Sequence, residues 1–314
     1  MKHPPYHLRP NKAVDRLMLI EAIRCLGRPN ELALYTYHGF GGPYLEEFRL
    51  LHEFFPEMKM VSIEENADTY KRQRFHLPCG KIKLLDRDFK SFLAQYDSRD
   101  KKHIFWLDYT GLEYGIFEDF MDLLGKLTIG SVLKVTFRAE PGDYTKKKSE
   151  EEFKAKFGAV LPDPNISPPR DFEEFAKLLQ EMLRIAAQRV LSSATGIIFQ
   201  PVSSFCYADG PGMFTLTGII CQRSERKQVR SLFSGWPFRN LNWGRPRRID
   251  MPFLSTKERL HLQKHLPCKR YAGRTLLKVL GYNIDENRLK TENKMKQYAD
   301  FYRYYPYFVR AIPL

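Results

Sequence analysis

Residues 31–43 read Glu-Leu-Ala-Leu-Tyr-Thr-Tyr-His-Gly-Phe-Gly-Gly-Pro, a β-rich run (ELALYTY) that breaks into a glycine-dense turn. The stretch that follows, YLEEFRLLHEFF (44–55), places apolar residues at helical spacing and is closed by Pro56. Strand, glycine turn and helix is the order this pattern predicts. At such a turn Gly39, Gly41 and Gly42 let the backbone approach a bound nucleotide without a Cβ in the way. Glycines also punctuate ordinary loops, so the weight of this turn depends on its surroundings.

Outward from the turn the alternation continues. Ala13 to Leu26 is predicted helical and Gly27 can end it. KMVSI (59–63) is a second strand that stops at Glu64-Glu65. ADTYKRQRFHL (67–77) is a helix stopped by Pro78. KIKLL (81–85) is a third strand with Asp86 and Asp88 just beyond it, and SFLAQY (91–96) a short helix. HIFWLDY (103–109) is the fourth and most apolar strand, Gly115 to Leu127 another helix, and SVLKVTF (131–137) a fifth strand. Regular alternation of this kind signals a parallel sheet with helices on both faces. Beyond it, SEEEFKAKFG and DFEEFAKLLQEMLRIAAQRVL read as helices. GIIFQPVSSFCYAD and MFTLTGIICQ read as an antiparallel hairpin at the sheet edge, turning at Asp209-Gly210-Pro211-Gly212. The expected fold is therefore α/β: a Rossmann-like, doubly wound, mostly parallel sheet with an antiparallel C-terminal hairpin. A basic, partly helical extension follows it.

Ligands of such sheets bind at the carboxyl ends of the strands, and acids stand at three consecutive ends here. Glu64, with Glu65 as the alternative, is placed to accept hydrogen bonds from ribose hydroxyls. Asp88, or else Asp86, can meet an adenine amino group. Asp108 ends the fourth strand, beside the reacting end of such a ligand. Each acid also has a plainer reading as a helix cap or first-turn residue, favoured there by the helix dipole.

The order glycine turn, Glu64, Asp88, Asp108 resembles a class I S-adenosylmethionine (SAM)-dependent methyltransferase over roughly residues 13 to 221. That resemblance implies SAM as cofactor. Gly39, Gly41 and Gly42 would lie along its methionine and ribose portion, Glu64 on the ribose, Asp88 on the adenine, and Asp108 near the methyl group. Asp108 would serve as base for a hydroxyl acceptor, and Tyr109 would orient the acceptor through its phenol or by packing. The family commonly carries an acid two residues before the first glycine, where this chain has Tyr37. Leu107-Asp108-Tyr109-Thr110-Gly111 is not the Asp/Asn-Pro-Pro-aromatic clamp of amino-methylating nucleic-acid enzymes, and Pro78-Cys79 is misplaced for cytosine C5 chemistry. Oxygen acceptors are left open. A nicotinamide-dependent Rossmann enzyme is the rival cofactor reading, but Tyr44 occupies the last position of GxGxxG.

Charge divides the chain. From Arg226 onward, 20 Lys and Arg stand against 6 Asp and Glu, a net +14 equal to that of the whole protein. Residues 1–225 are thereby expected to form the methyltransferase-like domain and 226–314 a basic, aromatic-rich extension for an acidic partner, nucleic acid first. Arg245, Arg247 and Arg248, following Trp243, are the candidate phosphate contacts. The end, QYADFYRYYPYFVRAIPL, mixes aromatics with Arg303 and Arg310 and is expected to dock onto the core in preference to stacking on bases.

The five cysteines, Cys25, Cys79, Cys206, Cys221 and Cys268, are scattered and form no CxxC pair, which suits reduced thiols in a cytoplasmic protein. His261 and His265 have metal-ligand spacing, but no third ligand completes the pattern, so no metal is expected. His38 could reach a ligand or simply pack the loop. No stretch approaches the roughly 18 to 20 apolar residues of a membrane span. A methyltransferase-like module without turnover, binding nucleic acid or a protein, is the alternative function. Neither oligomeric state nor acceptor follows from the sequence.

Overall fold

The computed structural model describes residues 9–98, 101–144, 146–191, 196–268 and 270–306. Its strands are β1 (Thr36–Gly39), β2 (Lys59–Glu64), β3 (Ile82–Asp86), β4 (His103–Asp108), β5 (Val132–Arg138), β6 (Ile197–Ala208), β7 (Gly212–Gln222) and β8 (Arg247–Ile249). They form one sheet in the order β3-β2-β1-β4-β5-β7-β6-β8. β1 pairs in parallel with β2 on one side and β4 on the other; β2–β3 and β4–β5 are also parallel, and β7 runs antiparallel to β5. The Rossmann-like α/β sheet read from the sequence is thus present. The hairpin does not end it, because β8 lies beyond β6. Three residues in a proline- and arginine-rich stretch are too few to show a period of two.

The helices are α1 (Pro10–Arg24), α2 (Pro29–Leu32), α3 (Glu46–Phe54), α4 (Ala67–Phe75), α5 (Phe89–Gln95) and α6 (Tyr114–Lys126). They continue with α7 (Lys147–Phe157), α8 (Phe172–Val190), α9 (Arg226–Leu232), α10 (Thr256–Gln263), α11 (Ala272–Leu280) and α12 (Arg288–Phe301). The one displaced strand is the first. ELALYTY reads as β from residue 31, yet Pro29 opens a helical turn and Glu31 accepts the Arg28 N–H at 2.7 Å. A proline at the first helical position and an acid closing the turn outweigh the strand pattern, so β1 begins only at Thr36.

Alternation along β1 decides what covers each face of the sheet. Tyr37 is fully buried, edge-on to Phe48 of α3 with ring centroids 5.1 Å apart. The next residue, His38, points the other way and stacks on Phe105 at 4.3 Å, beside Phe92 and Tyr96. On that second face Phe105, Leu133, Val135 and Phe137 from the strands meet Phe117 and Phe120 of α6 and Leu179 and Leu183 of α8 in one apolar cluster. α8 can seal it because Phe175, Leu179, Met182 and Leu183 recur along one side at helical spacing.

By packing, the chain divides into two units. One comprises Met18–Cys206 and Pro211–Arg247; the other comprises Met1–Leu17, Tyr207–Gly210 and Arg248–Leu314. Within the second, the Asp209 carboxylate accepts the Asn11 and Lys12 N–H groups at 3.2 and 2.8 Å, and Asn11 Oδ1 accepts the Met251 N–H at 2.8 Å. In the same unit Tyr298, Phe301 and Tyr305 of the aromatic tail are buried, and Arg259 lies 4.2 Å over the Tyr305 ring. Burial, not base stacking, is what these three rings do. Arg310 lies outside the described residues. Among the described residues, no helix is long and apolar enough to cross a membrane.

Phe117 has no exposed surface and its ring lies 5.8 Å from those of Phe137 and Phe157. Phe117→Ala is expected to cost about 3–5 kcal/mol, read as a lowered midpoint with unchanged slope in chemical unfolding.

Candidate active site

β1 delivers Gly39 to the carboxyl rim of the sheet between Ser62 of β2 and Trp106 of β4, its register partners. Strand order reverses here: β2 and β3 extend to one side of β1, β4 and β5 to the other. A crevice at such a reversal is where open α/β sheets take ligands. The turn that follows has Gly41 at φ +75° and Gly42 at +53°, a region costly for residues with a Cβ. A Cβ on Gly41 would stand 2.7 Å from both Leu45 Cδ2 and Ser62 Oγ, whereas one on Gly42 would meet nothing within 4 Å. Gly41 is thus dictated by packing inside the turn, and Gly42 borders open space.

Glu64 ends β2 beside this turn. One carboxylate oxygen accepts the Asn66 N–H at 2.9 Å and the other stands 3.5 Å from Gln73 Nε2. Half-burial raises its pKa above the usual carboxylate range, offset in part by the backbone N–H groups it accepts and reinforced by neighbouring Glu65. Gln73 is the one buried residue of α4 and is completely shielded. Its amide donates to the Phe40 and Gly42 carbonyls at 2.9 and 3.0 Å, and its Oε1 accepts from Ser62 Oγ at 2.9 Å. The sequence reading missed it. The available signal was an uncharged amide between Arg72 and Arg74 in a helix otherwise made for solvent.

Phe40 gathers the rest of the rim. Its ring packs edge-on to Phe89 at 5.7 Å and to Tyr109 at 5.2 Å, joining the glycine turn to the start of α5 and the end of β4. Asp88, just before Phe89, is the N-cap of α5 and accepts the Ser91 N–H at 2.8 Å and the Ser91 hydroxyl at 2.5 Å. Those two bonds hold its pKa below the ordinary value. Asp108 closes β4 opposite Thr136 of β5 and is half-buried. Tyr109 turns inward: its hydroxyl donates to Asp119 Oδ2 of α6 at 2.6 Å. Burial first, then the Asp119 charge, raises the phenol's pKa, so it stays protonated. What Tyr109 brings to the rim is its ring.

His38 donates or accepts through Nε2 to His103 Nδ1 at 3.1 Å, and His103 Nε2 meets the Ser98 carbonyl at 3.2 Å. That carbonyl only accepts, so His103 carries its proton on Nε2 and His38 must be the donor to Nδ1. Burial, aided by His103, pushes the His38 pKa down to about 3. It is a neutral packing residue of the second face.

The three arginines are engaged locally. Arg245 reaches Glu174 at 2.8 Å, Glu173 at 3.7 Å and Asp171 at 4.0 Å, all at the start of α8. Arg247 lies 4.9 Å over Phe238 and donates to the Pro237 carbonyl at 3.2 Å, while Arg248 meets Asp250 at 3.7 Å. Trp243 packs against Phe199 at 6.1 Å. His261 Nε2 faces the Val279 carbonyl at 3.2 Å, and among the described residues no three or more His, Cys, Asp or Glu come together as a metal cluster. A groove of about 700 Å³ between α5 and α6, lined by Lys90, Tyr114, Glu118 and Lys126 among others, contains none of the expected site residues.

A sheet in the order β3-β2-β1-β4-β5-β7-β6 with β7 antiparallel to β5, and a glycine turn and a strand-end acid on the rim at β1, is the arrangement of a class I SAM-dependent methyltransferase fold. Residues 4–313 match the model of a family described as "Putative O-methyltransferase", and the chain belongs to that family. None of the curated proteins matches it. Among solved structures, Trm1 from Pyrococcus horikoshii with S-adenosyl-L-methionine is similar, with 13% identity and a TM-score of 0.50 over 70% of this chain and 57% of that one. The O-methyltransferase from Bacillus cereus in complex with SAH has 11% identity and a TM-score of 0.42 over 68% of this chain and 84% of that one. The chain thus spans under two thirds of the length of Trm1.

Two outcomes follow from the turn and its acid. Gly41→Ala forces a Cβ into Leu45 and Ser62 at positive φ and is expected to destabilise the fold by about 1–3 kcal/mol in denaturant titration. Glu64, with its folded pKa raised, adds stability on the acid side and loses it as pH rises through that pKa. Ligand binding that uses the carboxylate runs oppositely. The Kd for S-adenosylhomocysteine is expected to rise on acidification at a pH above the usual glutamate value of about 4.3. Glu64→Gln should flatten that dependence.

Proposed function

We propose that the protein is a SAM-dependent O-methyltransferase whose acceptor is a hydroxyl on an acidic substrate, nucleic acid first. The observation that carries the reading is the half-buried Glu64 carboxylate at the β1 reversal, tied through Gln73 to a turn whose Gly42 side is open. These features suit an adenosyl ligand: a carboxylate for the ribose hydroxyls, a backbone with no side chain in the way, and the Phe40, Phe89 and Tyr109 rings beside it. Asp88 meets the adenine through whatever capacity Ser91 leaves on its oxygens. When bound, SAM supplies an electrophilic methyl group on a sulfonium. This chain's work is then to align the acceptor, exclude water and take one proton. Asp108 is the base assigned to that proton, and Tyr109 supports the acceptor by packing, since its hydroxyl serves Asp119.

Residues 1–225 carry the transfer in this reading and 226–314 recognise the acidic substrate, with Arg245, Arg247 and Arg248 as phosphate contacts. The net +14 of the latter stretch supports this division. Any phosphate has to compete with Glu174, Asp250 and the other groups these arginines already meet. A cytoplasmic location is in keeping with the scattered cysteines. One observation favours a second reading, a module that binds without turnover: the hydroxyl of Tyr109 is committed to Asp119, leaving Asp108 as the rim acid to serve as base.

The two readings separate in solution. Calorimetry is expected to show S-adenosylhomocysteine binding with a Kd of about micromolar order. Glu64→Ala should weaken it about tenfold or more, the worth of charged hydrogen bonds. Asp108→Asn should keep that affinity while lowering methyl transfer to an RNA or small hydroxyl acceptor about 10²- to 10⁴-fold. No heat with S-adenosylhomocysteine overturns the cofactor assignment. Normal binding without transfer to any acceptor supports the second reading. Binding to RNA that falls with salt and with replacement of the three arginines by alanine supports the role of the extension, and salt-independent binding contradicts it.

A further inference from the structure

We propose that Gln73 is a positioning residue for the adenosyl site, holding the glycine turn and the Glu64 carboxylate in register with one another. The inference rests on the reading of Glu64 as the ribose acceptor and goes beyond it, because Gln73 is buried and acts only through its neighbours.

A glutamine with no exposed surface is costly unless every polar atom of its amide is used. Here all are used. One face of the amide donates to the Phe40 carbonyl at 2.9 Å and the Gly42 carbonyl at 3.0 Å. Glu64 Oε2 stands 3.5 Å from the same nitrogen, and Ser62 Oγ holds the amide oxygen at 2.9 Å. The orientation is unambiguous: exchanging the amide N and O would press an oxygen against two carbonyl oxygens. Ser62, itself fully buried, also stands 3.3 Å from the Phe40 carbonyl, so the glutamine, the serine and the turn form one network.

The consequence for the turn follows from peptide geometry. A trans peptide carries its C=O and N–H on opposite edges. Drawing the Phe40 carbonyl toward Gln73 therefore turns the Gly41 N–H away from it. Drawing in the Gly42 carbonyl costs no donor, because Pro43 follows and has no N–H. The Gln73 amide thus fixes how the turn between Phe40 and Pro43 presents its backbone, and the same nitrogen lies beside the acid that would take the ribose. An apolar residue of equal length would take the Gln73 donor from the Gly42 carbonyl, leave the Phe40 carbonyl with only the Ser62 hydroxyl, and leave Glu64 with only its backbone donors.

The test compares two ligands, S-adenosylhomocysteine and its 3′-deoxyribose analogue, on the full chain by calorimetry. The wild type is expected to prefer the natural ligand about tenfold, the worth of a hydrogen bond to a carboxylate. Gln73→Leu is expected to bind S-adenosylhomocysteine about tenfold more weakly and to lose most of the preference, since Glu64 is no longer held in place. Combined with Glu64→Ala, it should leave the preference between the two ligands where Glu64→Ala alone puts it, any further loss of affinity being the share of the turn. A merely structural role would lower thermal stability and leave the preference between the ligands intact, and that result overturns the proposal. Should Gln73→Leu not fold, Ser62→Ala removes only the group that holds the amide oxygen. It is then expected to shrink the preference in the same direction, and an unchanged preference there is equally contrary. If Glu64→Ala itself binds S-adenosylhomocysteine like the wild type, the ribose reading fails and the Glu64 half of this proposal falls with it. The turn half still stands or falls on the affinity of Gln73→Leu.

Discussion

β1 is four residues long and has parallel partners on both sides, and the site depends on that placement. Because the chain leaves β1 toward β2 and returns to its other side as β4, the carboxyl ends of β1 and β4 meet at the reversal of strand order, where open α/β sheets take ligands. The turn after Gly39 opens at that reversal, and the next strand ends, at Glu64 and Asp108, flank it. Gly41 suits the turn: at φ +75°, any Cβ there would press on Leu45 and Ser62.

Several polar groups buried near this rim are paired. Gln73 and Ser62 satisfy each other and the turn carbonyls, and Tyr109 meets Asp119. His38 is kept neutral by burial and shares a proton chain with His103. Such pairings remove most of the cost of putting polar atoms inside a sheet, and they also fix side-chain positions more narrowly than apolar packing does. The aromatic trio of Phe40, Phe89 and Tyr109 adds a rigid apolar wall to the same rim.

The succession of strands and helices was legible in the sequence because apolar periodicity is a local property of the chain. KMVSI, HIFWLDY and DFEEFAKLLQEMLRIAAQRVL each carry their own period, and each became the expected element within a residue or two. The first strand was read too long because Pro29 and Glu31 act through turn chemistry, which hydrophobic spacing does not report. β8 was too short to read. Gln73 escaped for a different reason: its partners Phe40, Gly42 and Ser62 lie in other elements, and no periodicity marks a buried amide. The RPRR stretch reads as a compact positive charge along the chain, but in space each guanidinium has found a different acid, ring or carbonyl. Charge counted along a sequence measures supply; only the fold shows how much of it is already paired.

The most direct measurement is an experimental structure of the protein with S-adenosylhomocysteine. The account requires the adenosyl group in the β1–β4 crevice, with the Glu64 carboxylate within hydrogen-bond distance of the ribose hydroxyls and the homocysteine portion along Gly41 and Gly42. A ligand bound elsewhere, or in the crevice with its ribose turned away from Glu64, contradicts it.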